Sequence, residues 1–341
     1  MAQCYHRRIG YLTDKGISFR PVADSRIVSV PCGKCLACRV NHASEWALRA
    51  LHESQYVKEG CFITLTYNKD NLPSNYSLQK SDVQLFLKRL RRHLEYHKKG
   101  SIRAYMAVGE YGSKYGRPHY HLLILGYTPD DLEVFGKSYA GDTIYTSKTL
   151  ETLWGKGYCP VGTVTSNSAA YVARYSKKLA KDNSGNRPKP FMLASRNILL
   201  SNGKKGALGA QWLLDNYKSL RKGYISHPTK PNVRCQIPSY YFDLMEKYYP
   251  EEYEELKKYR QDYAESKFHG LIICENKYTH KPSILWDSKA KQSVEALMEF
   301  LGLDQDYDYG VSEMLHMANE KIERDCKIQD EHLSKLERKI E

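Results

Sequence analysis

Three groups of residues in this 341-residue chain combine types and spacings that chemistry can use. The first is His119-Tyr120-His121, at the start of an apolar run. In a β-strand a spacing of two puts both imidazoles on one face, where together they can bind a divalent cation, and turns Tyr120 to the other. Counting back across the turn residues Gly112, Gly116 and Pro118 places Glu110 opposite His119 on a partner strand. A carboxylate there is a candidate third ligand, and two imidazoles with one carboxylate suit Mn²⁺ or Mg²⁺.

The second group is Tyr171, Tyr175 and Lys178, which fall at i, i+4 and i+7 on one helical face bordered by Arg174. A phenol with an ordinary pKa near 10 is a weak nucleophile at neutral pH. Cationic neighbours and a metal-polarised phosphate are what would make it effective. The third group is Cys32, Cys35 and Cys38, whose two-residue spacing lets thiolates converge on Zn²⁺. Cys4 or Cys61 would complete a tetrahedron, and reduced unliganded thiols are the alternative.

None of these groups is decisive by itself. A His-x-His pair usually faces solvent, and a pair of tyrosines among 28 arises easily by chance. Composition adds a direction. The net charge of +13 favours a polyanionic partner, because basic side chains on a phosphate backbone release counterions. Nine cysteines, an odd number, suit a reducing compartment better than a disulfide framework. No run approaches the ~18 apolar residues of a membrane span. The first eight residues, Met1 to Arg8, lack an apolar signal segment, so a soluble protein without membrane contact is expected.

The elements that must position these residues follow from periodicity. Cys61 to Tyr67 alternates β-branched and aromatic residues and is stopped before Pro73, so it reads as a half-buried central strand. Ser81 to Gln84 resembles a capping box, followed by Val83, Phe86, Leu87, Leu90 and Leu94 at helical spacing. Ile102 to Glu110 and His119 to Gly126 read as an antiparallel hairpin, with a further strand near Tyr158 to Thr165. Ser166 and Ser168 then offer caps to a helix from about Ala169 to Lys181. The order predicts an α+β fold, an antiparallel sheet flanked by helices.

Four regions are expected: 1–60, a Cys-containing segment and helix; 61–185, the core; 186–235, basic and loop-rich; and 236–341, mainly helical. Basic and aromatic residues interleave from Lys218 to Tyr224, as stacking platforms for unpaired bases would require, whereas Tyr240 to Tyr249 reads as helical core. Leu315, Ile322, Cys326, Leu333, Leu336 and Ile340 fit a heptad-like seam packing onto the same chain.

In combination and in order, the strand from Phe62 to Tyr67, Pro118-His-Tyr-His121 and the paired-tyrosine helix resemble the three motifs of the HUH endonucleases. The chain is most similar to the replication initiators of the microviruses, particularly the gokushovirus branch. The resemblance lies in Pro31-Cys-Gly-Lys-Cys-Leu-Ala-Cys38, Gly109-Glu-Tyr-Gly112, Arg117-Pro-His-Tyr-His121 and Tyr171-Val-Ala-Arg-Tyr175, over about residues 30–200. It implies that His119, His121 and Glu110 hold a metal against the scissile phosphate while Tyr171 or Tyr175 attacks phosphorus. The products would be a 5′-phosphotyrosine and a priming 3′-OH.

The partners so implied are single-stranded DNA, a replication origin, and a polymerase and helicase supplied by the host in whose cytoplasm the protein acts. No nucleotide cofactor is needed for closure, and no convincing Gly-Lys-Ser/Thr phosphate loop is found. Two other readings compete: a zinc-containing DNA-binding regulator without catalysis, and a metal-dependent phosphoesterase that uses water in place of tyrosine.

Overall fold

A computed structural model describes residues 2–14, 16–112, 115–138, 141–164, 186–268, 271–285, 294–303 and 311–338. The chain divides into two compact units, 42–252 and a second built from 1–41 together with 253–341.

The larger unit is organised by a seven-stranded sheet. Its strands are β4 (Gly60–Thr66), β5 (Ala104–Tyr111), β6 (Pro118–Leu125), β7 (Leu132–Lys137), β8 (Thr143–Ser147), β9 (Val161–Thr163) and β10 (Phe191–Ala194). They lie in the order β10-β5-β6-β4-β9-β8-β7, with every described pairing antiparallel. The α+β expectation therefore holds, with flanking helices on an open sheet.

Alternation along the central strands builds two different faces. On one, Ile63, Leu65, Ala107, Tyr120, Leu122 and Ile124 pack with Val83, Phe86, Leu87, Leu90 and Leu94 of α2 (Lys80–Tyr96) and with Leu150 and Trp154 of α3 (Lys148–Trp154). On the other, Ala104, Met106, Val108, Leu123 and Leu125 pack with Ala50 and Leu51 of α1 (Leu36–Ser54). Two polar anchors pin the first face. The indole N–H of Trp154 donates to the Thr66 carbonyl at 2.9 Å, and the Tyr120 hydroxyl lies 2.8 Å from that of Tyr67 while accepting from the Gln79 N–H at 2.8 Å.

The expected capping box is not formed. Helix α2 begins one residue earlier, behind Gln79, which makes no side-chain cap bond. The backbone there is instead held by Tyr120, a tertiary contact that overrides the local signal. From 186 to 235, short strands, the helix α4 (Ala210–Asn216), a 3-10 turn (Tyr217–Lys222) and a hairpin at Ile225–His227 and Lys230–Cys235 interrupt the loops. Within α5 (Ser239–Tyr248), Tyr241 is fully buried and its hydroxyl lies 2.7 Å from His52 Nδ1, in line with the helical-core reading of this segment.

The second unit holds the sheet of β1 (Arg8–Thr13), β2 (Gly16–Ser18) and β3 (Ile27–Val30), the helix α6 (Pro250–Phe268), a hairpin of strands at Ile272–Glu275 and Pro282–Leu285, and the helices α7 (Val294–Leu301) and α8 (Val311–Arg338). Its core is Leu271, Ile273, Ile284, Leu297, Met314, Ala318 and Ile322. The apolar stripe of α8 runs through Met314, Ala318 and Ile322 to Cys326 and Leu333, with Leu315 only at its margin. Asn319 accepts the Ile284 N–H at 2.7 Å, so the polar position in the expected seam is satisfied within the chain.

Gly109 marks the tightest point of the larger unit. A Cβ there would stand 2.8 Å from the Phe191 ring and 3.0 Å from that of Tyr120. Gly109→Ala should therefore cost about 1–3 kcal/mol, the usual range for overpacking. The check is a lowered melting temperature by circular dichroism, whereas Gly136→Ala, where nothing lies within 4 Å, should leave it almost unmoved.

Candidate active site

The strand register places the candidate ligands together. Glu110 of β5 pairs with His119 of β6, while Thr66 and Thr64 of β4 pair with His119 and His121. His119, His121 and Glu110 extend the face that α1 covers further along the sheet, so the apolar layer gives way to a polar end. Glu110 Oε1 lies 2.8 Å from His119 Nε2 and 3.3 Å from His121 Nε2. Glu110 and His121 are each 5% exposed, and His119 is half-buried. All three donor atoms lie within 4.8 Å of one another.

The far side of each ring is also held. His119 Nδ1 lies 3.2 Å from the Arg117 carbonyl and His121 Nδ1 lies 3.1 Å from Thr64 Oγ1. A carbonyl can only accept, so it selects the tautomer with the proton on His119 Nδ1. That leaves the Nε2 lone pair aimed at the shared point, the usual arrangement for an imidazole ligand. The Phe62 ring stacks on His121 at 5.7 Å between centroids. Burial alone would raise the Glu110 carboxyl, but its hydrogen bonds with His119 and His121, and their charge, outweigh burial and hold it down at about 2.

Sequence reading missed Thr64. It lies three residues before Tyr67 on a strand that was recognised, and pairing that strand with the histidine strand in register would have found it. It also missed Arg187, whose guanidinium donates to the Gly116 carbonyl at 3.0 Å and lies 4.0 Å from the centre of the Tyr111 ring. Arg117 donates to the Tyr67 carbonyl at 2.9 Å, so the turn joining β5 and β6 is tied from both sides. Tyr171, Arg174, Tyr175 and Lys178 lie outside the described residues. The strands before and after them, β9 and β10, stand on opposite sides of the β5-β6-β4 trio.

The cysteine group also converges, with Cys4 rather than Cys61 as its fourth member; Cys61 is buried in the core of the sheet. Sγ–Sγ distances are 3.7 Å for Cys4–Cys32, 3.8 Å for Cys4–Cys35 and 4.0 Å for Cys32–Cys38. The backbone N–H groups of Lys34 and Cys35 donate to Cys32 Sγ at 3.4 and 3.3 Å, across a turn in which Gly33 takes φ 74°. Burial works against the Cys32 thiolate, but these donors outweigh it and lower its pKa. All nine cysteines are free of disulfides. Between Lys218 and Tyr224 the one aromatic ring, Tyr224, is covered by the Arg234 guanidinium at 4.6 Å.

With this geometry established, comparison with known proteins identifies the family. Residues 60–180 match the replication-associated protein ORF2 family. The replication-associated protein VP4 of Bdellovibrio phage phiMH2K is 38% identical over 230 residues, 66% of this chain and 70% of that protein. Replication-associated protein ORF2 of Spiroplasma virus 4 is 33% identical over 264 residues, 74% of this chain and 79% of that protein. Replication-associated protein ORF4 of Chlamydia phage 1 is 37% identical over 153 residues, 44% of this chain and 38% of that protein. No solved structure matches.

Because the folded-state pKa of Glu110 is depressed, its ionisation stabilises the fold above the ordinary carboxylate value near 4.5, and that contribution is lost as pH falls toward 2. In EDTA, Glu110→Gln should be less stable than the native chain at pH 7 by up to ~3 kcal/mol. The gap should narrow through this window in urea unfolding followed by tryptophan fluorescence. The chain belongs to the ORF2 family of replication-associated proteins and is a microvirus-type replication initiator.

Proposed function

We propose that this initiator starts rolling-circle replication by nicking single-stranded DNA at the viral origin through a tyrosine and later reseals the displaced strand into a circle. The observation that carries the reading is the convergence of Glu110, His119 and His121 on one point of the central strands. The donor set of two imidazole nitrogens and one carboxylate fits Mg²⁺ or Mn²⁺. An ion held there would polarise the scissile phosphate and offset the charge that builds on its oxygens.

The chain's own residues supply the rest. The phenol oxygen of Tyr171 or Tyr175 forms a bond to phosphorus as the bond from phosphorus to the 3′-oxygen breaks. The proton lost by the phenol is balanced by the one gained by the 3′-oxygen, which leaves a 3′-OH and a 5′-phosphotyrosine. Arg174 and Lys178, each three residues beyond a tyrosine, favour the phenolate form and the phosphate by their charge. Closure is the same exchange in reverse, so the phosphodiester energy is kept and no nucleotide is consumed. Two tyrosines allow a second cleavage at the regenerated origin before the first linkage is resolved.

The 3′-OH would prime a host polymerase, with a host helicase opening the duplex, in the host cytoplasm. DNA binding is supported by the net charge of +13, and no described helix is long and apolar enough to cross a membrane. For the thiol group we assign Zn²⁺ in a structural role. Four sulfurs bound at ~2.3 Å would stand about 3.8 Å apart, close to the separations described above.

Origin-bearing single-stranded DNA incubated with Mn²⁺ should give a protein–DNA adduct on a denaturing gel. His119→Ala and His121→Ala should abolish it while sparing folding and most DNA affinity, and Tyr171→Phe with Tyr175→Phe should remove it together. No adduct with the native chain, with cleavage intact in the double tyrosine variant, would establish the water-using phosphoesterase instead. Neither adduct nor cleavage, with DNA binding retained, would point to the regulator.

A further inference from the structure

The residues ahead of β1 are fastened along one side of α8. The Gln3 N–H donates to Gln329 Oε1 at 2.7 Å, and Gln329 Nε2 donates back to the Gln3 carbonyl at 2.7 Å. Two residues beyond Cys4, His6 then turns its ring toward the helix. Its Nε2 lies 3.7 Å from Cys326 Sγ, and Asp330, one turn further along α8, brings a carboxylate oxygen into the same group. The three ligand atoms lie within 4.8 Å of one another.

The back of the imidazole is held as well. His6 Nδ1 lies 3.2 Å from Oε2 of Glu275, whose other oxygen is 3.0 Å from His280 Nδ1. A carboxylate on one ring nitrogen takes the proton-bearing side and turns the other lone pair outward, as in carboxylate–histidine–metal arrangements. Here that lone pair faces a thiol and a carboxylate. A weak S–H···N hydrogen bond would account for Cys326 and His6 but not for the convergence of Asp330. The i, i+4 spacing of Cys326 and Asp330 puts two donors on one helical face, with the third from a segment remote in sequence.

We propose that His6, Cys326 and Asp330 bind a zinc ion, with Glu275 as the residue that positions His6. One nitrogen, one sulfur and one oxygen suit this borderline-soft cation. The fourth position opens on the groove lined by Lys281, Glu323 and Lys327 and is filled by water. The ion clamps residues 2–6 to α8. It is a different site from the Glu110 trio and from the Cys4 cluster, and it stands whether or not the protein nicks DNA.

Native mass spectrometry of the full-length protein prepared with Zn²⁺ should show one ion that is retained by a Cys32→Ser, Cys35→Ser double variant. His6→Ala or Cys326→Ser should remove it. Asp330→Asn, at a half-buried position that keeps the fold, and Glu275→Gln should each weaken it by about tenfold or more in competition with a chelator. With Co²⁺ in place of Zn²⁺, a thiolate-to-cobalt absorption band should persist in the double variant and vanish in Cys326→Ser. A double variant that carries no ion, or zinc content and affinity unchanged by Asp330→Asn and Cys326→Ser in proteins of native circular dichroism, would overturn the proposal.

Discussion

The site depends on one carboxylate being buried between two imidazoles. Removed from water, Glu110 ionises only because His119 and His121 meet it, and they meet it only because β5 and β6 pair in a single register. A slip of one residue would turn both rings into the apolar layer under α2 and bring Tyr120 out. Tyr120 opposes that slip from the other face, bonded to Tyr67 and the Gln79 N–H and packed against Trp154. The core thus fixes the site's geometry through alternation along one strand.

The supporting contacts extend that logic outward. Thr64 and the Arg117 carbonyl hold the rear of the two rings, while Arg117 and Arg187 tie down the turn between their strands. Gly109 lets Phe191 of β10 approach Tyr120 directly beside Glu110. A site built on paired central strands is more rigid than one carried on loops, and it is already arranged before any ion or nucleic acid arrives.

Much of this was legible in the sequence wherever the signal was periodic. Alternation in Cys61 to Tyr67 and His119 to Gly126, and helical spacing from Val83 to Leu94, located the central strands and α2, and counting across one turn paired Glu110 with His119. Signals that depend on contacts remote in sequence were not legible. The start of α2 was set by Tyr120 rather than by Ser81, and the buried stripe of α8 ran through Met314 and Ala318 because the Ile272–Leu285 hairpin covers that side. Among the cysteines, spacing gave Cys32, Cys35 and Cys38 but could not choose between Cys4 and Cys61; burial of Cys61 in the sheet decides it. His6, Cys326 and Asp330 carry no local pattern, since 320 residues separate the first two.

The order of the strands limits where the proposed nucleophiles can go. β9 and β10 are separated by β4, β6 and β5, so the ends of the tyrosine-bearing segment are anchored by sheet hydrogen bonds four strand spacings apart, about 19 Å. A group on a span closed at both ends samples a small volume around its anchors, and its local concentration far exceeds that of a freely diffusing one. Sequence changes within the span therefore have two separable effects: on the reactivity of the phenol, and on the fraction of time it spends near the histidines. The second depends on the number of residues between the strands as well as on their identity.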